Sequence, residues 1–114
     1  MIYVVATTQM KPEGREEFIK GHKACIAETR KEKGCIAYEG HISIHDPNVY
    51  VVVERWETRD DLNAHGRAPH MKTWRALSAP LKASPTEIEI GAIARYPMYA
   101  IADDSDPWIE HLSK

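Results

Sequence analysis

Residues 35–56, CIAYEGHISIHDPNVYVVVERW, decide the fold. Two β-rich runs, 35–44 and 49–56, flank the turn formers His45-Asp46-Pro47-Asn48. So short a link joins antiparallel neighbours, and the pair reads as a hairpin. In the second arm Tyr50, Val52, Glu54 and Trp56 alternate with Val49, Val51 and Val53. Residues two apart on a strand share a face. Both faces are apolar, so burial on both sides is expected.

Upstream, IYVVATTQ (2–9) is β-branched and aromatic, as a strand prefers. Lys11-Pro12-Glu13-Gly14 ends it with turn chemistry. Residues 14–32 are expected to be helical, because Phe18, Ile19, His22, Cys25, Ile26 and Thr29 form one stripe. Glu13, Glu16 and Glu17 crowd the first turn, where the helix dipole favours anions. Gly34 suits the C-terminal stop. Downstream, Thr58 caps a helix, with Asp61 three residues on. Gly66 ends that piece, and Pro69 opens a second one striped by Met71, Trp74, Leu77 and Leu81. Residues 86–93 read as a fourth strand.

The order βαββαβ is the ferredoxin-like split unit, an α+β fold with an antiparallel sheet. Its helices cover one face. The other is expected to meet the sheet of a second copy in a homodimer. Residues 1–93 form the domain, and 94–114 an extension. In the extension Asp106-Pro107 opens a short amphipathic helix carrying Trp108, Ile109 and Leu112, expected to dock on a subunit or cover a cavity.

With 114 residues, 43% hydrophobic and 28% charged, the chain has the composition of one globular domain. A net charge of −2 without a basic run argues against nucleic acid as a partner. No apolar run approaches the ~20 residues of a membrane span. The first residues lack the basic start and small-residue cleavage site of a secretion signal, so a cytoplasmic location is expected. Two cysteines, Cys25 and Cys35, are too few for a disulfide scaffold and read as reduced thiols.

The chemistry concentrates between Glu54 and Trp74. Glu54 is a carboxylate among apolar neighbours and must be bonded, paired or protonated. His65 and His70 are five apart, about 140° on a continuous helix, so only the Gly66–Pro69 break can turn both inward. His22 sits in an apolar helical stripe. If both helices pack on one sheet face, His22, Tyr38, Glu54, His65, His70 and Trp74 line one cavity, largely apolar with a few polar points. Two histidines and a carboxylate can hold iron, but this His spacing is not the i, i+4 pair of one helical face, and no metal is expected. No nucleophile elbow or phosphate-cradling loop occurs.

YVVATTQMKPEG (3–14), ETRKEKGCIAYE (28–39), VVVERWET (51–58) and LNAHGRAPHMKTW (62–74) together resemble the antibiotic biosynthesis monooxygenase family. The likeness is greatest to its bacterial quinol monooxygenase branch and covers about residues 2–93. It implies a dimeric α+β barrel. It also implies oxygenation of small quinol-like or polyphenolic aromatics by dioxygen, without metal, flavin or haem. His65 or His70 would then be the base and Glu54 would orient a histidine. Tyr38, Trp56 and Trp74 would shape the pocket with His22. Haem-degrading relatives use an Asn, a Trp and a His where this chain has Thr7, His65 and Arg75, so haem degradation is not expected. Thr7 is expected to touch substrate. The same resemblance leaves open an acid–base isomerase of a small phosphorylated or hydroxyketone compound, with Lys23, Lys72 or Arg75 as the phosphate site. A non-enzymatic dimer that holds an apolar ligand is the third reading.

Overall fold

A computed structural model describes residues 1–92. The domain boundary near residue 93 and the expected tail helix lie outside the described residues. The chain forms β1 (Ile2–Gln9), α1 (Arg15–Thr29), β2 (Cys35–Ile42), β3 (Val49–Trp56), α2 (Arg59–Gly66), α3 (Pro69–Ser78) and β4 (Glu87–Ala92), with 3₁₀ turns at Pro12–Gly14 and Ala79–Leu81. The sheet order is β2-β3-β1-β4, and every neighbouring pair is antiparallel. This is the ferredoxin-like α+β arrangement.

The second strand ends at Ile42, two residues short of the expected 44. There Ser43 donates its N–H to the Val49 carbonyl at 3.0 Å and closes the hairpin. The first helix is also shorter than expected. After Thr29 the chain turns through successive short-range bonds (Lys31 N–H to Glu28, Glu32 N–H to Thr29) before Gly34. Gly34 has φ +80°, and a Cβ there would strike the Asp61 carboxylate. Its carbonyl accepts the Glu57 N–H at 2.9 Å. Gly34 therefore seats β2 beside the start of α2 and is not itself the helix stop. Thr58 caps α2 as expected, accepting the Asp61 N–H at 3.1 Å.

Alternation sorts the sheet. Val4, Ala6 and Thr8 of β1, Tyr38 of β2, and Tyr50, Val52, Glu54 and Trp56 of β3 are buried beneath the helices. From α1, Phe18, His22, Cys25 and Thr29 meet them. Each of the larger apolar side chains contributes about 1.5–3 kcal/mol by leaving water. The opposite face carries Tyr3, Val5, Thr7, Val49, Val51, Val53 and Arg55, all half-buried in the single chain. Gly21 lets α1 and α3 approach, since a Cβ there would meet Leu77 and Trp74. The helices do not reach across β4, where Ile88 is 61% exposed.

Candidate active site

Between the sheet and helices α1 and α3 lies a cavity of about 190 Å³. The sheet lends it Ala6, Thr8, Tyr38, Val52, Glu54 and Ile88; the helices lend Phe18, His22, Met71, Trp74 and Arg75. Lys82 and Thr86 complete the wall. Its surface is mostly apolar, so its few polar atoms govern what it can hold.

His22 is 1% exposed. Its Nδ1 lies 2.6 Å from the Tyr50 hydroxyl. Its Nε2 is buried with no partner among the described residues. Burial, reinforced by the charge of His65, holds its pKa down at about 4, so the ring is neutral at pH 7. Burial pushes the Tyr50 phenol up to about 12, which keeps it protonated. When that phenol donates to Nδ1, Nε2 carries the ring proton and becomes a donor on the cavity wall.

Tyr50 reaches His22 because residue 40 is glycine. A Cβ at Gly40 would overlap the Tyr50 hydroxyl. We expect Gly40→Ala to cost about 1–3 kcal/mol by overpacking and to break the Tyr50–His22 bond. Urea unfolding reads the cost, and an unchanged midpoint would refute this account of the position.

Glu54 is 6% exposed. Its Oε1 accepts the Trp56 Nε1–H at 3.0 Å, its one side-chain hydrogen bond among the described residues. Burial raises its pKa to about 7; the Trp56 bond pulls the other way, and the Glu32 charge adds to the rise. Tyr38, also on the wall, is held far above the ordinary phenol range by burial and stays neutral.

Several expected placements need correction. His65 and His70 do not line this cavity. The break does turn both inward: Ala68 donates its N–H to the His65 carbonyl, and Pro69 begins α3. They turn toward Glu32, however. His65 Nδ1 lies 3.0 Å and His70 Nε2 2.7 Å from Glu32 Oε1. His65 packs behind the cavity wall, its ring centroid 4.8 Å from that of Trp56 and 5.3 Å from that of Tyr38. Burial lowers its pKa, with Glu32 opposing. His70 instead faces a groove between α1 and α3, beside Cys25 and Trp74. Glu54 orients no histidine; its partner is Trp56. Trp56 is fully buried and supports Glu54 from behind without lining the cavity. Thr7 points to the opposite sheet face, because strand alternation sends Thr8 inward with Val4 and Ala6.

His22, Tyr38, Glu54 and Trp74 do meet in one cavity. Sequence reasoning missed Thr8, Lys82 and Glu32. The period-2 pattern carried a signal for Thr8. Lys82 arrives through a bridge with Met10 that no local pattern announces.

Residues 1–77 match the model of a family described as antibiotic biosynthesis monooxygenase. The chain belongs to the antibiotic biosynthesis monooxygenase family. It is 30% identical over 93 residues to a Bacillus subtilis protein bearing the name "Putative monooxygenase YcnE", covering 77% of this chain and 98% of that protein. It is 33% identical to the Synechocystis protein sll1783, covering 82% of this chain but only 63% of that longer relative. The fold matches a crystal structure of a conserved protein from Methanosarcina mazei Go1 with a TM-score of 0.79 at 35% identity, covering 82% and 92% of the two chains. Family and relatives support a monooxygenase-like role. No helix among the described residues is long and apolar enough to cross a membrane.

Proposed function

We propose that this domain is a cofactor-independent monooxygenase that oxidises a small quinol-like or polyphenolic aromatic with dioxygen in the His22–Glu54 cavity. One observation carries the reading: a buried carboxylate and a buried neutral imidazole, its Nε2 unpartnered among the described residues, share a mostly apolar cavity. About 190 Å³ suits one small ring system.

Triplet dioxygen reacts poorly with closed-shell molecules, so the substrate must first become a better electron donor. Glu54 takes the proton of a substrate hydroxyl; a carboxylate poised near neutrality does this better than one at its ordinary pKa. His22 Nε2–H then stabilises the aryloxide, with the Arg75 and Lys82 cations nearby. The aryloxide passes one electron to dioxygen, the radical pair recombines into a C–O bond at a carbon that bears hydrogen, and Glu54 returns its proton to the peroxide, whose O–O bond breaks as that C–H is lost. Loss of water leaves one oxygen atom in the product carbonyl and one in water, and the substrate supplies all four electrons. The expected assignment of the base to His65 or His70 therefore moves to Glu54.

A homodimer belongs to the same proposal. On the outer sheet face the central strands present a largely apolar stripe (Tyr3, Val5, Val49, Val51, Val53) between Glu39 and His41 of β2 and Glu87 and Glu89 of β4, and there the buried Nε of Arg55 has no partner among the described residues. A cytoplasmic location remains part of this reading.

Arg75 and Lys82 on the wall favour one alternative, an acid–base isomerase of a small phosphorylated or hydroxyketone compound. Oxygen uptake decides between them. Chelator-treated protein is offered a panel of quinols and naphthols, with the Glu54→Gln variant as the autoxidation control. Uptake well above the variant, with one substrate preferred, is the expected result. Uptake equal to the variant on every substrate overturns the oxygenase. Competition by inorganic phosphate would then favour the isomerase, and an unaltered co-purifying ligand the binding module.

A further inference from the structure

We propose that Glu32, His65 and His70 form a site for a divalent transition metal such as Zn²⁺, separate from the His22–Glu54 cavity. The three ligands come from three places in the chain: the turn after α1, the end of α2 and the start of α3. One donor atom from each lies within 4.8 Å of the others. Bonds of about 2.0–2.2 Å to a common ion need donors no more than ~4.2 Å apart, so small side-chain rotations complete the site.

The surroundings favour a cation. Among the described residues Glu32 has only these two imidazoles as ion-pair partners, and no Lys or Arg neutralises it. A surface hollow of about 370 Å³ opens onto Glu32, with Asp60 and Asp61 on its rim and Lys33 the one opposing charge. The hollow offers an entry path as far as Glu32. The burial of His65 against Trp56 and Tyr38 fixes its ring. Two imidazoles and a carboxylate suit zinc and its first-row neighbours; magnesium and calcium prefer all-oxygen sites. His65 Nδ1 hydrogen-bonds Glu32 at 3.0 Å, while His70 Nε2, 2.7 Å from Glu32 Oε1, hydrogen-bonds Thr29 Oγ1 at 3.2 Å. A bound ion would take the place of these contacts.

The carboxylate is the unexpected partner here. The Gly66–Pro69 break defeats the rule that five-apart histidines diverge, and it aims both at a residue more than thirty positions upstream. The ion would tie the loop after α1 to α2 and α3. Its effect should therefore appear in stability, whatever the cavity catalyses.

The test uses tag-free, chelator-stripped protein. Zn²⁺ is titrated calorimetrically, and Co²⁺ by its visible absorption. One ion per chain is expected. Glu32→Gln and His70→Gln should each weaken binding by at least about 100-fold, the most that losing a mere supporting residue does. Cys25→Ser, on the far side of His70, should bind like the parent. Zn²⁺ at about 100 times its Kd should raise the parent melting temperature by several degrees and leave Glu32→Gln unmoved. Should Glu32→Gln fail to fold, His70→Gln carries the test, because His70 is partly exposed at a helix start. No saturable binding of either ion overturns the proposal. So does binding that survives in a folded ligand variant.

Discussion

Glu54→Gln should lower kcat/KM for the preferred substrate by about 10²–10⁴-fold, the usual worth of a positioned base. The pH profile makes the result specific. In the parent, activity should rise through about pH 7 to a plateau, because the base acts only when ionised. The variant should lose that limb and keep a small, flatter residue. A limb near pH 7 that survives in Glu54→Gln would assign the base elsewhere.

The same substitution has a stability signature. The carboxylate pKa is raised from 4.5 to about 7 by folding. Between those values the native state binds more protons than the unfolded state, so the Glu54 contribution is lost as pH rises. The shift corresponds to about 3 kcal/mol. Gln carries no charge at any pH. The stability of Glu54→Gln relative to the parent should therefore grow by about that amount between pH 4.5 and 7, measured by urea unfolding. A constant difference would mean that Glu54 is not held in a charge-averse setting.

His22→Leu is expected to act on the other half of the site. Removing a donor aimed at developing negative charge should lower kcat by about 10²–10³-fold. The limb near pH 7 should remain, since it belongs to Glu54. Stability again separates the two residues. Folding lowers the His22 pKa from 6.5 to about 4, so its contribution is present above 6.5 and lost as pH falls through 4. That slope opposes the Glu54 slope, and from pH 4.5 to 6.5 the two nearly cancel in the parent. His22→Leu removes one arm of the balance. The variant should lose stability, relative to the parent, as pH rises through that window. It should also carry a fixed cost of about 1–3 kcal/mol for the orphaned Tyr50 hydroxyl. Parental activity in a folded His22→Leu would remove the residue from the mechanism.

The alternation of β3 was legible because a strand has a period of two, and it correctly placed Glu54 and Trp56 on one face with Tyr50. The Thr58 cap, the Gly66–Pro69 break and the stripe carrying His22 were legible for the same local reason. Thr7 differs from expectation by parity: the alternation of Val4, Ala6 and Thr8 sends it to the opposite face, and a single residue of offset exchanges the two faces of a sheet. The partners of the histidines were beyond reach. Glu32 lies in a charged run, ETRKEKG, that looks like any solvated helix end, and nothing local distinguishes it from Glu28.

By itself the sequence determined the elements, their order, which residues of β3 share a face and the family to which the chain belongs. These follow from backbone sterics and from hydrophobic periodicity, which act over a few residues. Only the tertiary structure decided that Trp56 holds Glu54, that Tyr50 holds His22 through the space left at Gly40, and that Glu32 claims His65 and His70. The Trp56–Glu54 bond runs along β3 and is buried only because the helices cover it; the other two pairings depend on how α1, α2 and α3 lie against the sheet and one another. That arrangement is set by the packing of many side chains at once, and no stretch of the chain encodes it locally.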